Sequence, residues 1–230
     1  MKKVAILQSN YIPWKGYFDI INSVDSFIFL DDVQYTKLDW RNRNKIKTEK
    51  GFEWLTIPCG KNKNKLICEV ELKDNTWQEA HWNKILYNYK KAEFFYQYKD
   101  FFESFYLANN WTNLSVMNQY LIMKISKEFL GIETVFEDSR KYHLTKRKGE
   151  RVIELLKKVH ADVYLSGPAA KNYLMEEEFV TADIELSWMD YSEYPEYHQF
   201  YPPFEHQVSI LDLLFHEGPR VPKYLKSFSK

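Results

Sequence analysis

Residues 4–32 read VAILQSNYIPWKGYFDIINSVDSFIFLDD, and this stretch decides the fold. A short apolar run, Val4 to Leu7, ends in the polar group Gln8, Ser9 and Asn10. Pro13 then breaks regular structure, and Gly16 allows a tight backbone path. From Tyr17 the apolar residues Phe18, Ile20, Ile21 and Val24 recur at helical spacing. Phe27 to Leu30 is a second β-rich run that ends in Asp31 and Asp32. Strand, loop, helix, strand is a βαβ unit, which implies two parallel strands joined by a right-handed crossover. Ligands of such sheets bind beyond the carboxyl ends of the strands. That expectation gathers Gln8, Asn10, Tyr11 and the Asp31–Asp32 pair around one crevice. The plainer alternative is a polar rim with no site.

The rest of the chain fits an α/β fold with a mostly parallel sheet flanked by helices. A length of 230 residues suits one domain, here with a helical subdomain over about 75–132. The hydrophobic content of 45% suits a folded globule, and the 17% of aromatic residues suits a large core or a cleft that stacks rings. Net charge is zero, so no global field steers the chain to nucleic acid or to an anionic membrane. No apolar run approaches the ~20 residues of a spanning helix, and the N-terminus has no signal-peptide core. Cys59 and Cys68 are the only cysteines and match no metal spacing. A cytoplasmic protein with reduced thiols is expected.

After Asp32, Trp40 to Lys45 form a cationic and amide cluster. The forks of Arg43 and the amide of Asn42 suit phosphate or carboxylate, though an exposed basic loop would look the same. Glu53–Pro58 and Leu66–Leu72 alternate as two strands of a hairpin, linked by a solvated turn over 60–65. Thr76 with Glu79 can form a capping box for a helix carrying His81. The aromatic residues from Phe94 to Tyr106 read as core, and Leu114–Leu130 as a long helix ended by Gly131. Strands are expected again at Thr134–Phe136, Asp162–Leu165 and Ile184–Trp188. The second of these runs into SGPAAKNYL, where small residues let a ligand approach and Lys171 offers a point charge. It has neither Walker nor GxGxxG spacing. The Tyr- and Pro-rich segment 191–207 reads as an ordered loop of the kind that closes over sites. Ser209 then caps a short helix.

The motifs LQSNYIPWKGYFDII, FLDDVQY, WRNRNKIKT, WLTIP, YLSGPAAKNYL and SILDLLFHEG, in this order, resemble the WbqC-like family. The resemblance covers about residues 4–219. It implies a bacterial protein of surface-polysaccharide biosynthesis, such as that of lipopolysaccharide O-antigen. It also implies matching positions at Gln8, Asn10, Tyr11, Pro13, Trp14, Gly16, Asp31, Asp32, Asn42, Arg43, Ser166, Gly167, Lys171, Tyr173, Asp212 and Gly218. Many family members carry Pro after the first Gln; here that place is Ser9. The first βαβ unit also faintly resembles nucleotidyltransferases whose loop carries two histidines around a glycine. The loop here, PWKGY, has none, so adenylyl transfer by that route is not expected.

The leading expectation is a transferase that adds an acyl or aminoacyl group to a nucleotide-linked amino sugar. The alternatives are a nucleotide-dependent ligase or degenerate nucleotidyltransferase, and a non-catalytic sugar-nucleotide-binding protein. Asp31, Asp32 and His81 are the acid–base candidates, because a protonated amine must lose a proton before it attacks. Side chains diverge at a strand end, so one aspartate faces the crevice; the reading leans to Asp32, with Asp31 bracing the loop. The alternative is a cap or ion pair for the aspartates and a packing role for His81. Substrate-binding candidates are Gln8, Asn10, Tyr11, Trp14, Asn42, Arg43, Ser166, Gly167 and Lys171. No tightly held metal or cofactor is expected; a loosely held magnesium on the aspartates and a substrate phosphate stays open.

Overall fold

The computed structural model describes every residue except Lys61, Lys63, Tyr173, Ser229 and Lys230. The 60–65 turn is therefore only partly within the described residues, and Tyr173 lies outside them. The chain opens with β1 (Lys3–Leu7), α1 (Lys15–Asn22) and β2 (Ser26–Phe29). A long connection follows. It holds β3 (Arg43–Thr48), β4 (Gly51–Thr56), α2 (Thr76–Tyr89), α3 (Phe95–Glu103) and α4 (Leu114–Lys124). The last two helices each run on into a π-helical turn. Then come β5 (Val135–Asp138), α5 (Lys148–Lys158), β6 (Val163–Ser166), α6 (Glu176–Thr181), β7 (Glu185–Trp188) and α7 (Ile210–Glu217).

Five strands form one parallel sheet in the order β5-β2-β1-β6-β7. The chain starts at the centre, moves to one edge, then returns and fills the other. Right-handed crossovers then fix which face each connection covers. The β1-to-β2 and β2-to-β5 connections fall on one face, and α5 and α6 on the other. Strand parity follows. Ala5, Phe27 and Phe29 point into a core shared with α1, α2, α3, α4 and α7. Val4, Ile6 and Ile28 point into a second core with Val152, Leu155 and Leu156 of α5 and Phe179 of α6. Both faces are covered, which is why these strands read as unbroken apolar runs. The helices of the long connection share their core with the sheet.

The small hairpin differs from its expected form. Its strands are β3 and β4, antiparallel, with Arg43 opposite Thr56 and Lys45 opposite Trp54. Ile67–Glu69 is a single 3₁₀ turn, and Leu66 makes only an isolated bridge to Gln34. The alternation in β3 was hidden because its outward residues are cations and one of its inward residues is an amide. Asn44 is buried and donates to the carbonyls of Tyr11 (3.0 Å) and Ile12 (2.9 Å). Arg43, Asn44 and Lys45 of the WRNRNK run are thus strand, entered from a turn over 40–42.

Candidate functional site

The strand order reverses between β1 and β6, so the ends of those strands form the topological switch point of the sheet. Gln8 leaves β1 there, and Ser166 and Gly167 leave β6. The loop from Gln8 to Trp14 is held in an unusual shape. Ile12 has φ of 35°, costly for a β-branched residue and doubly so before Pro13. The two amide hydrogen bonds from Asn44 clamp that turn from β3. Asn44→Ala should therefore lose roughly 1–3 kcal/mol of stability, because two buried carbonyls lose their donors. Urea unfolding of the variant checks this; an unchanged midpoint would show that the turn holds itself.

A cleft of about 240 Å³ opens beside this loop, lined by Asn10, Pro13, Trp14, Trp40, Asn44 and Gln207. Trp14 caps the start of α1, and its indole lies so close over Gly16 that a Cβ there would collide with it. On its other side Trp14 meets Tyr191 and Tyr194 edge-on, at 5.1 and 5.9 Å between ring centres. Asn10 accepts a hydrogen bond from Arg41 (2.7 Å), which also pairs with Asp39 (3.3 Å). Trp40 contacts Trp54 of β4 at 5.4 Å, which joins the cleft to the outer face of the hairpin. On that face the Arg43 guanidinium stacks over Trp54 at 4.2 Å, and Lys45 lies over Phe52 at 4.5 Å. Aromatic faces and cations alternate there because β3 and β4 present every second residue outward.

Of the expected site residues, Asn10 and Trp14 line this cleft, and Arg43 lies on the adjoining face. The others are distributed elsewhere. Gln8 gives its carbonyl to the Tyr17 hydroxyl (2.9 Å). Ser166 is buried, with its hydroxyl on that of Tyr164 (3.3 Å). Gly167 lies close to the Tyr191 hydroxyl, so Tyr191 contacts both Gly167 and Trp14. Lys171 sits over Trp188 at the end of β7, 5.3 Å from its ring centre. Asn42 is buried, donates to the carbonyl of Ile57 (2.9 Å) and is not among the residues that line the cleft.

The three acid–base candidates are also apart. Asp31 is fully buried and accepts from the Ser9 N–H (2.8 Å), the Ser115 hydroxyl (2.5 Å) and the Gln119 amide (2.9 Å). It ties the β1 loop to α4. Asp32 turns to the other face, accepts from Ser139 (2.6 Å) and pairs with Arg151 of α5. His81 is buried under the loop, its Nδ1 bonded to the Tyr11 hydroxyl (2.9 Å), which also meets that of Tyr106 (2.6 Å). Burial, and then Lys84, push the His81 pKa down to about 3, against the pull of a backbone contact with Thr56. A neutral imidazole enclosed in this way positions Tyr11, and His81 is not among the residues that line the cleft. Among the described residues no group of three or more His, Cys, Asp or Glu could hold a metal ion, and no helix is long and apolar enough to cross a membrane.

Sequence reasoning took Lys45 only as part of the cationic cluster and Trp54 only as a strand residue, and passed over Phe52, Gln207 and Lys15. The spacing i, i+2 of Arg43 and Lys45, set against Phe52 and Trp54, was the available signal for the hairpin face. Gln207 and the contacts of Lys15 depend on pairings across the whole chain.

The WbqC-like protein family matches residues 8–224. The chain belongs to the WbqC-like protein family. It is also similar to an uncharacterized protein of Mycobacterium tuberculosis, Rv1507c, 45% identical over 229 residues, which covers 98% of each chain. No solved structure matches it. The family match contains every residue that lines the cleft and the whole hairpin.

Proposed function

We propose that this WbqC-like protein is a transferase that acts in the cytoplasm on a nucleotide-linked amino sugar of bacterial surface-polysaccharide synthesis. Acyl or aminoacyl transfer to the sugar amine is the reaction intended. The resemblance noted from the sequence motifs supplies the biological setting. One structural observation carries the reading: a cleft walled by Trp14 and Trp40, with the side-chain amides of Asn10 and Gln207, opens onto a face that holds Arg43 and Lys45. Indole faces suit sugar and base rings, amides suit hydroxyls, and the two cations suit a diphosphate. In this reading Asn10, Trp14, Trp40 and Gln207 hold the sugar, and Arg43 with Lys45 holds the phosphates.

Arg43→Ala should weaken binding of a nucleotide-linked amino sugar by roughly 1–3 kcal/mol, the range for a charged hydrogen bond. A thermal-shift screen of such compounds finds the ligand first, since a ligand that prefers the native state raises apparent stability. Calorimetry on the variant then gives the affinity. An intact fold with unchanged affinity would remove Arg43 from the site.

A further inference from the structure

Asn10 is the polar residue of the cleft whose orientation is fixed from behind. Its Oδ1 accepts from Arg41 Nη1 at 2.7 Å. A guanidinium has donors and no acceptor, so the amide cannot turn over without setting donor against donor. The carbonyl end therefore faces Arg41, and the Nδ2 end is left to the cleft that Asn10 lines. Among the described residues nothing else accepts from Nδ2. Arg41 is itself held. Its Nη2 pairs with Asp39 (3.3 Å), and its backbone carbonyl accepts from Asn118 of α4 (2.8 Å). Asp39 in turn accepts from the Thr36 hydroxyl (2.6 Å) and the Trp40 N–H (2.7 Å), so one carboxylate seats both Arg41 and a wall of the cleft. Burial opposes the charge on Asp39, but Arg41 and these two hydrogen bonds hold its carboxyl below the usual range. The pair is ionised at neutral pH.

The rest of the lining offers an incoming group few acceptors. Asn44 is spent: its amide donates to the Tyr11 and Ile12 carbonyls, and its Oδ1 accepts from the Lys45 N–H (2.8 Å). The carbonyls of Pro13, Trp14 and Trp40 already accept from Ile210, Tyr17 and Tyr11. Among the described residues that line the cleft none is acidic. Gln207 alone keeps a side-chain amide that can turn either way. It sits at the end of segment 190–208, which is strapped over the buried Lys15. The Tyr194 and Tyr197 hydroxyls tie this strap to Asp19 and Asp212 (2.6 Å each). A cation placed at Asn10 would meet amide hydrogens with a guanidinium behind them.

We propose that Asn10, locked by Arg41 with its amide hydrogens toward the cleft, sets the specificity of this site for an acylated nitrogen: Nδ2 donates to the carbonyl oxygen of an N-acyl group, and a sugar ammonium is disfavoured. The sugar-nucleotide setting rests on the function proposed above; the donor polarity of Asn10 does not. It refines that function, since an acyl group is what the proposed transfer installs. The free amine enters in its neutral form, which is also the form that attacks an acyl carbon.

Calorimetry on the full chain at pH 7 compares UDP-N-acetylglucosamine with UDP-glucosamine, while NMR follows the Asn10 side-chain amide. The acetylated compound should bind about tenfold tighter, the ratio that one hydrogen bond supplies, and should shift the Asn10 Nδ2 protons. Asn10→Asp exchanges the donor for an acceptor that still pairs with Arg41, and should reverse the preference. Asn10→Ala offers neither, and should bring the ratio near one. Equal or tighter binding of UDP-glucosamine by the native chain overturns the proposal and leaves the nucleotide-sugar reading standing. A tenfold preference that survives in either folded variant does the same. Free N-acetylglucosamine and glucosamine separate the two claims. If the first shifts the Asn10 amide and the second does not, while the UDP group adds no affinity, the N-acyl specificity stands and the nucleotide-sugar reading falls. No shift at Asn10 with any of the four compounds overturns the proposal.

Discussion

Asp31→Ala should lose on the order of 3 kcal/mol of folding stability, among the largest costs of any single change in the chain. Three donors converge on this carboxylate: a backbone N–H from the β1 loop, and a hydroxyl and an amide from α4. The first two lie in the interior and find no water when the acceptor is removed, whereas the partly buried Gln119 amide keeps Asp138 (3.1 Å) and the Ser115 hydroxyl (3.1 Å) as acceptors. Each abandoned donor costs about 1–3 kcal/mol, partly offset because the buried carboxylate itself no longer has to be desolvated. Asp32→Ala should cost less. Ser139 is buried, but the ion-pair partner Arg151 lies nearer the surface and keeps the carbonyls of Leu144 and Lys146 as acceptors. Urea unfolding of the two variants side by side decides the matter. A larger loss in Asp32→Ala would show that Asp31 is not the brace of this loop.

The comparison of the two aspartates also shows what the sequence could carry. The runs Val4–Leu7 and Phe27–Leu30 disclosed parallel strands because both their faces are covered and every residue is apolar. That reading is local, and the fold built on it agrees with the family and with the five-stranded parallel sheet. The identity of neighbouring polar residues was not local. An aspartate at a strand end looks the same in sequence whether it meets a substrate or three donors from a distant helix. Its partners Ser115 and Gln119 stand far along the chain, on a helix that only the crossover brings near. Asn42, His81 and Tyr11 are alike in this: the Asn42 amide bonds to the Ile57 carbonyl, and His81 with Tyr11 braces the loop. β3 was obscured for the opposite reason. Its outward residues are cations stacked on rings, so the expected alternation of apolar and polar became one of charge and amide. The strap over Lys15 left only a composition, rich in Tyr and Pro, because the hydroxyls of Tyr194 and Tyr197 find their acceptors, Asp19 and Asp212, in helices distant in the sequence or reached only by folding.

Acidification from pH 7 to pH 5 should cost the protein about 2 kcal/mol through His81 alone. In the unfolded chain this histidine titrates at its ordinary value near 6.5. In the fold, burial and Lys84 hold it down to about 3. The folded state therefore binds fewer protons across that interval. The contribution is fully present above pH 6.5, where both states are neutral, and is lost progressively as pH falls toward 3. His81→Gln removes the titrating group and keeps a polar side chain that can still reach the Tyr11 hydroxyl. The variant should be less stable than the native chain at pH 7, and should lose about 2 kcal/mol less on going to pH 5. His206 shifts in the same direction, so His206→Gln serves as the second arm and should recover a smaller part. Asp39 and Asp138 lie below their ordinary range, so what they contribute is lost only under more acid conditions and does not enter this window. Unfolding free energies at pH 7 and pH 5 give the double difference directly. An identical loss in the native chain and in His81→Gln would mean that the imidazole is protonated in place, and that the Tyr11–His81–Tyr106 contact is not the closed, neutral brace described here.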